Sequence, residues 1–297
     1  MPIHPPTGAG ADVSVVLVAT NCRGDIERNV AQLREQEDVD LEVVVIDNNS
    51  SDGTREYLEQ QADLLLIANS ENRWLNPARA QGVARTTAPL ILFFAPDTSM
   101  PPDTVRLLKD SLERDPKVGL VGPRLFGQHG HDMVNGQFPL PSVRWVVTDA
   151  LGLHRRVRKH VLPPEHAPDE LEKLEEEGDR RVEWLNGSCM LMRRSVLDAI
   201  GGLDERFLFD WEELDLARRV DKAGYEMRLV FNTNVMHRAK GTPVKTGVRE
   251  RIFVGAEQLY FKKHHSLPAW LAVRLARDVQ RVMRGGGALL RGARTST

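Results

Sequence analysis

Val13 to Ala19 reads VSVVLVA, an almost unbroken apolar run rich in β-branched residues. This is the pattern of a strand covered on both faces in a parallel sheet. The run ends at Thr20-Asn21, and Asp25 then predicts a capped helix to about Gln36. A second apolar run, Leu41 to Ile46, passes straight into the polar loop Asp47-Asn48-Asn49-Ser50-Ser51-Asp52-Gly53-Thr54. The alternation continues, with strands predicted near 63–67, 90–94 and 118–121 and helices near 53–61, 77–86 and 103–114. Asn76-Pro77 reads as a helix start, with Asn as N-cap and Pro at the first helical position. Repetition of strand, loop and helix predicts a Rossmann-like α/β half, in which a parallel sheet carries helices on both faces.

Between 126 and 182 the alternation breaks. It resumes in WLNGSCMLMRRSVLDAIGGLDERFLFDWEELDLARR, residues 184–219. Ser195, with Asp198 three residues on, reads as the N-cap of a short helix that Gly201-Gly202 stops. Glu212 and Glu213 then open a helix with an apolar stripe at Leu216, Val220 and Ala223, ended by Gly224. Carboxylates at a helix start are expected to stay ionised, since the N-terminal dipole favours the anion. An ionised carboxylate held there can take a proton from a hydroxyl.

Ligands of open α/β sheets sit outside the carboxyl ends of the strands, where Asp47 and Asp97 fall. Two carboxylates on that rim point to a nucleotide pocket. Neither GxGxxG nor GxxxxGK[ST] is present, so the dinucleotide and P-loop fingerprints are both missing.

Composition narrows the class. The 297 residues are 41% hydrophobic and 28% charged, with a formal net charge of -2, which suits a soluble globular chain and not a globally basic nucleic-acid binder. The two cysteines, Cys22 and Cys189, form no disulfide framework and fit a reducing compartment. No leader pattern opens the chain, and no apolar run reaches the ~18 residues of a membrane span, so a cytoplasmic location is expected.

Taken together, VSVVLVATN, VVVIDNNSSDGT, NPARAQGVA, ILFFAPDT, WLNGSCMLMRR, GGLDERFLFDWEELDLARR and the later His237 resemble the family-2 glycosyltransferases of GT-A fold, rhamnosyltransferase-type members above all. The resemblance covers roughly residues 13–242. It implies a GT-A-like α/β fold with a mixed central sheet, and an inverting transfer of a sugar such as rhamnose from a nucleotide-diphosphate sugar to a hydroxyl of a glycan or lipid-linked acceptor. Carried onto this sequence, Thr20, Asn21 and Asp47 line the nucleoside pocket, Asp52 braces its loop and Arg79 reaches toward the diphosphate. Asp97 and His237 hold Mg²⁺ or Mn²⁺, and Glu213 is the base that takes the acceptor proton. Trp184, Asn186, Gly187, Trp211 and Glu212 fall on the acceptor side. The chain departs from the family pattern at Thr20, where an aromatic often stands, at Ala95 in place of an acid or amide, and at Glu213 in place of Asp. The competing reading is a nucleotide-sugar-binding scaffold without transfer.

Residues 1–11 read as a loose tail, 12–247 as the glycosyltransferase domain with 126–182 inserted on its acceptor side, and 248–297 as a helical, basic extension. In the insert, HRRVRKH (154–160) offers positive charge, whereas His129 and His131 read as loop residues. From residue 268 onward six arginines face one acid, Asp278, and Trp270, Leu271, Leu275 and Val282 alternate with them. That pattern suits a peripheral contact with an anionic membrane, on the inner face of the cell membrane.

Overall fold

The structure is a computed structural model that describes residues 3–6, 10–127, 139–153, 178–239 and 246–292, with the side chains of the last segment from 247 to 283. The basic run 154–160, the acidic stretch 168–177, His129 and His131 lie outside these residues.

One mixed nine-stranded sheet organises the chain, in the order β3-β2-β1-β4-β8-β6-β9-β5, with β7 pairing β9. The parallel half holds β1 (Val13–Ala19), β2 (Leu41–Asp47), β3 (Leu65–Ala68) and β4 (Leu90–Phe94). As the β-branched runs predict, β1 and β2 are buried along their whole length. The other half starts where β8 (Cys189–Arg193) enters antiparallel between β4 and β6 (Val118–Phe126). β9 (Glu226–His237) runs parallel to β6 and takes β5 (Thr98–Ser99) and β7 (Asp179–Val182) antiparallel. The simple parallel alternation therefore ends at β4, and β6 is displaced by one strand.

Two apolar layers cover the sheet. On one face Val13, Val15 and Leu17 pack with Ile26, Val30 and Leu33 of α1 (Arg23–Arg34) and with Leu108 of α4 (Thr104–Glu113). On the other, Val16, Val44 and Phe93 meet Ala78 of α3 (Leu75–Val83), Val196 of α6 (Arg194–Ala199), and Leu216 and Val220 of α7 (Glu212–Lys222). Gly82 lets α3 press onto the sheet: a Cβ there would stand 2.7 Å from Val16 Cγ1. The short α2 (Thr54–Leu58) follows Gly53, whose φ of 86° suits glycine. A third cluster joins α5 (Val143–Ala150), α8 (Thr246–His264) and α9 (Leu267–Gly292) to the start of α7 through Val146, Trp211, Tyr260, Phe261 and Val273.

Three predicted caps are not made. α1 begins at Arg23 with Cys22 as N-cap, α3 begins at Leu75 after Trp74, and α6 begins at Arg194 after Arg193, none with a side-chain cap bond. The expected side chains are committed elsewhere or lie inside the helix. Asp25 pairs with Arg28 and Arg238, Asn76 Nδ2 donates to the Asp204 carbonyl at 2.9 Å, and Ser195 stands within α6. Nor are residues 3 to 6 a loose tail, since Ile3 is buried and His4 adds a bridge beside β2, its N–H donating to the Leu41 carbonyl and its own carbonyl accepting from Val43 N.

Candidate active site

The carboxyl ends of β1, β2 and β4 open into a cavity of about 430 Å³, closed on the far side by the turn before β8, the start of α7 and the end of β9. Of the residues expected at the site, Thr20, Asn21, Arg79, Asp97, Asn186, Gly187, Glu212, Glu213 and His237 line it together. Asn21 ties the loop after β1 to the loop after β2, its Oδ1 accepting from Ser51 N at 2.8 Å and its own N–H donating to Ser50 Oγ at 2.9 Å. Asp52 braces the same loop by accepting from Arg23 N and from Thr54 N and Oγ1. Burial works against its charge, yet these hydrogen bonds hold its pKa below the usual range.

Asp47, Trp184 and Trp211 do not line the cavity. Asp47 is fully buried and its carboxylate accepts from Arg55 Nε at 2.9 Å and from Ser50 N, so it fixes the loop instead of facing a ligand. Trp184 packs under the second apolar layer. Trp211 is a core residue, with its ring 5.2 Å from Tyr260 and 5.9 Å from Phe261. Strand-end and helix-start positions predicted the neighbourhood, but which side chain turns inward depends on partners distant in sequence.

The acid pair is set by strain and packing. Asp210 and Trp211 both hold positive φ, 61° and 69°, before α7 begins at Glu212. Non-glycine residues sit there only when the surroundings force them. Four of the seven such residues among the described ones, Asn21, Trp74, Asp210 and Ala239, line the cavity. One helical turn on, Asp215 is buried and accepts from Lys263 and His264 at 2.7 Å each and from Arg219 at 2.8 Å. That network clamps α7 to α8.

Burial works against the expected ionisation of the pair, and most strongly at Glu213. Glu213 is pushed well above the ordinary carboxylate range by desolvation, and further by the neighbouring charge of Glu212. Glu212 is raised less, since the Arg79 guanidinium, 3.7 Å away, offsets part of the desolvation. The two carboxyls share a hydrogen bond that favours Glu212 as the anion and Glu213 as the acid. A helix N-terminus favours an anion by only about 0.3–1 kcal/mol, less than burial costs here. Arg79 is itself buried, donates Nη2 to the Gly187 carbonyl and stacks on Phe93. It therefore supports the acid pair from beneath.

Elsewhere in the cavity lining, Asp97 Oδ1 and His237 Nε2 stand 3.3 Å apart, brought together where β5 pairs with the end of β9. His237 Nδ1 is buried with no hydrogen-bond partner. Among the described residues no group of three or more His, Cys, Asp or Glu could hold a metal alone. One carboxylate and one imidazole fit a divalent cation completed by a ligand's phosphate oxygens and water.

The sequence reading missed Asn48, Asn72, Asp210 and Arg249, all of which line the cavity. Asn48 Nδ2 donates to Asn72 Oδ1 at 2.9 Å, and its Oδ1 accepts from Arg73 N at 2.9 Å. Its signal was the amide doublet directly after Asp47. Asp210 Oδ2 lies 3.8 Å from Arg249 Nε, a pairing no local pattern reveals.

Known proteins resemble this chain in sequence and in fold. The sequence profile of Glycosyl transferase family 2 matches residues 14–201. An N-acetylglucosaminyl-diphospho-decaprenol L-rhamnosyltransferase of Mycobacterium tuberculosis is 29% identical over 245 residues, covering 76% of each chain. The mannosyltransferase PcManGT from Pyrobaculum calidifontis, solved with GDP-Man and Mn²⁺, superposes with a TM-score of 0.55 at 18% identity, covering 97% of this chain and 78% of that one. GalNAc-T7, solved with UDP, GalNAc and Mn²⁺, superposes with a TM-score of 0.53 at 13% identity, covering 77% of this chain and 44% of that one. With a matched profile over most of the parallel half, a rhamnosyltransferase-like sequence and a GT-A fold, this chain belongs to glycosyl transferase family 2 and is a glycosyltransferase.

Proposed function

We propose that the chain transfers a deoxyhexose of the rhamnose type from a nucleotide-diphosphate sugar to a hydroxyl of a lipid-linked glycan, with inversion. The observation that carries this is the placement of an acid pair, Glu212 buried and Glu213 half-buried, and an Asp–His pair in the lining of one cavity. The 29% identical rhamnosyltransferase supports the donor and acceptor class. The bond between the anomeric carbon and the diphosphate oxygen breaks, its electron pair leaving with the diphosphate. An acceptor oxygen bonds to the opposite face of that carbon, and its proton passes to the Glu213 carboxylate. Arg79 favours the charged form of Glu212 against its desolvation, so the two acids divide the work: Glu212 as the anion beside the guanidinium, Glu213 as the group that exchanges a proton. Asn48, Asn72 and Thr20 form the nucleoside wall. Asp97 and His237 would hold a divalent cation, which would supply positive charge to offset that growing on the leaving diphosphate; the imidazole favours Mn²⁺ over Mg²⁺.

The test is acceptor-dependent release of nucleoside diphosphate. Glu213→Gln keeps the shape and removes the proton acceptor, so turnover falls by roughly 10²- to 10⁴-fold with donor affinity little changed. Since the base form exists only above its raised pKa, wild-type turnover climbs with pH beyond the ordinary carboxylate range. Wild-type turnover in Glu213→Gln would reject the assignment, and nucleotide-sugar binding without any transfer would leave the scaffold reading.

A further inference from the structure

A helix that is apolar on two sides needs cover on both, and α9 is covered on one, by α5 and α8. Val273 and Ala276 are buried, Val273 against Trp211, Tyr260 and Phe261. On another side Leu267, Leu271, Leu275 and Val282 follow one another along the helix and are 65%, 47%, 65% and 74% exposed. Next to them, α5 and the turn after it expose Trp145, Leu151 and Leu153. Eleven large hydrophobic side chains are exposed among the described residues, and all but Met236 and Phe253 belong to α9, to α5 or to the turn after α5. Single exposed apolar residues need no explanation, but a contiguous patch marks an interaction surface.

We propose that this face docks into the headgroup–acyl boundary of an anionic lipid bilayer, with α9 lying in the plane of the membrane. Among the described residues no helix is long and apolar enough to cross a membrane, so the contact is peripheral. Charge selects the occupant. Arg274 and Arg281 fall together on one flank of the exposed row by helical spacing, and the one acid of the helix, Asp278, is already paired with Arg281 at 3.1 Å. A symmetric dimer through this face would set the arginines of one copy against those of the other. An anionic surface instead takes the leucines and leaves the guanidinium groups at headgroup level.

The face is also rigid and joined to the cavity. Arg277 bonds both oxygens of buried Glu257, at 2.8 and 2.6 Å, and Asp149 at 3.0 Å, which locks α9 to α8 and α5. Trp211, on the same cluster, directly precedes Glu212. Docking would therefore hold the acid pair at a fixed position relative to the lipid surface.

From its arginines alone the segment would let go of a membrane at high salt; the exposed leucines add attraction that salt does not screen. The test is flotation of the full chain with vesicles of phosphatidylcholine alone or mixed with phosphatidylglycerol, at ~0.1 M and ~1 M salt. No sugar nucleotide is added, so the outcome is independent of the proposed reaction. The wild type is expected to float with the mixed vesicles and to keep part of that binding at high salt. Leu271→Gln with Leu275→Gln should lower partitioning ~10-fold per leucine at both salts, with unchanged melting temperature because both positions are exposed. Arg274→Glu with Arg281→Glu should lose the preference for phosphatidylglycerol. The inference is overturned if the wild type ignores mixed vesicles, if the leucine variant floats like wild type, or if the chain is a dimer that the leucine variant dissociates.

Discussion

Arg79→Met offers a test of the acid pair that needs no substrate. Arg79 is 3% exposed, and its Nη1 lies 3.7 Å from Glu212 Oε1. Two unit charges at that distance interact by about 4 kcal/mol at an effective dielectric near 20, in line with the ~3–5 kcal/mol lost when one partner of a buried ion pair is removed. Methionine fills much of the space but leaves a charged Glu212 alone in the interior. The variant escapes by keeping Glu212 protonated, which makes its cost depend on pH. Desolvation already holds the folded pKa of Glu212 above its unfolded value, and losing Arg79 raises it further. A raised carboxyl contributes stability that is present below the unfolded pKa and lost as pH climbs through the folded one. At pH 8 the expected loss is about 4 kcal/mol. At pH 5 it shrinks to about 2 kcal/mol, the contribution of the bond to the Gly187 carbonyl and the stacking on Phe93. Urea unfolding at both pH values, compared at constant slope, reads the difference directly. An equal loss at the two pH values, or a larger one at pH 5, would refute the pairing of Arg79 with an ionised Glu212.

Two further outcomes test the Asp–His pair and the sheet packing. His237→Ala should raise the Mn²⁺ concentration for half activity by ~10-fold or more, and Asp97→Ala by more still, with melting temperatures close to wild type; turnover that persists in excess chelator would sink this reading. Gly82→Ala brings a methyl to 2.7 Å from Val16 Cγ1 and 2.8 Å from Ile46 Cδ1, an overpacking that costs about 1–3 kcal/mol. An unchanged urea midpoint would mean that α3 can move off β1 and β2 without loss.

The parts of this fold legible in the sequence are those that a run of neighbouring residues decides. VSVVLVA and LILFF each declare a strand buried on both faces, and Glu212 to Gly224 declares a helix and its end, because backbone sterics and burial act within a few residues. What remained hidden depends on partners far along the chain. Asn76 looked like a cap but serves Asp204, 128 positions away. Asp47 had the right place on the rim and the wrong neighbour, Arg55, which draws its carboxylate out of the cavity. The carboxyl of Glu213 shifts the other way from the dipole rule because burial strips it of water, and no periodicity encodes that exclusion.

The antiparallel entry of β8 beside β4 has a bearing on how such chains diversify. One rim of the cavity comes from residues 18–97 and the other from 186–249. The two stretches meet along a ladder of five backbone pairs, from Leu90 opposite Arg193 to Phe94 opposite Cys189, and through the side-chain contacts Arg79–Glu212, Asp97–His237 and Asn76–Asp204. Main-chain hydrogen bonds are indifferent to side-chain identity, so a crossover between the two stretches has to match only the apolar residues that flank this ladder and both members of those three polar pairs. Recombination that keeps those pairs can then join one ancestral rim to another, and laboratory chimeras cut between residues 100 and 185 with the pairs intact should inherit the specificity of each rim separately.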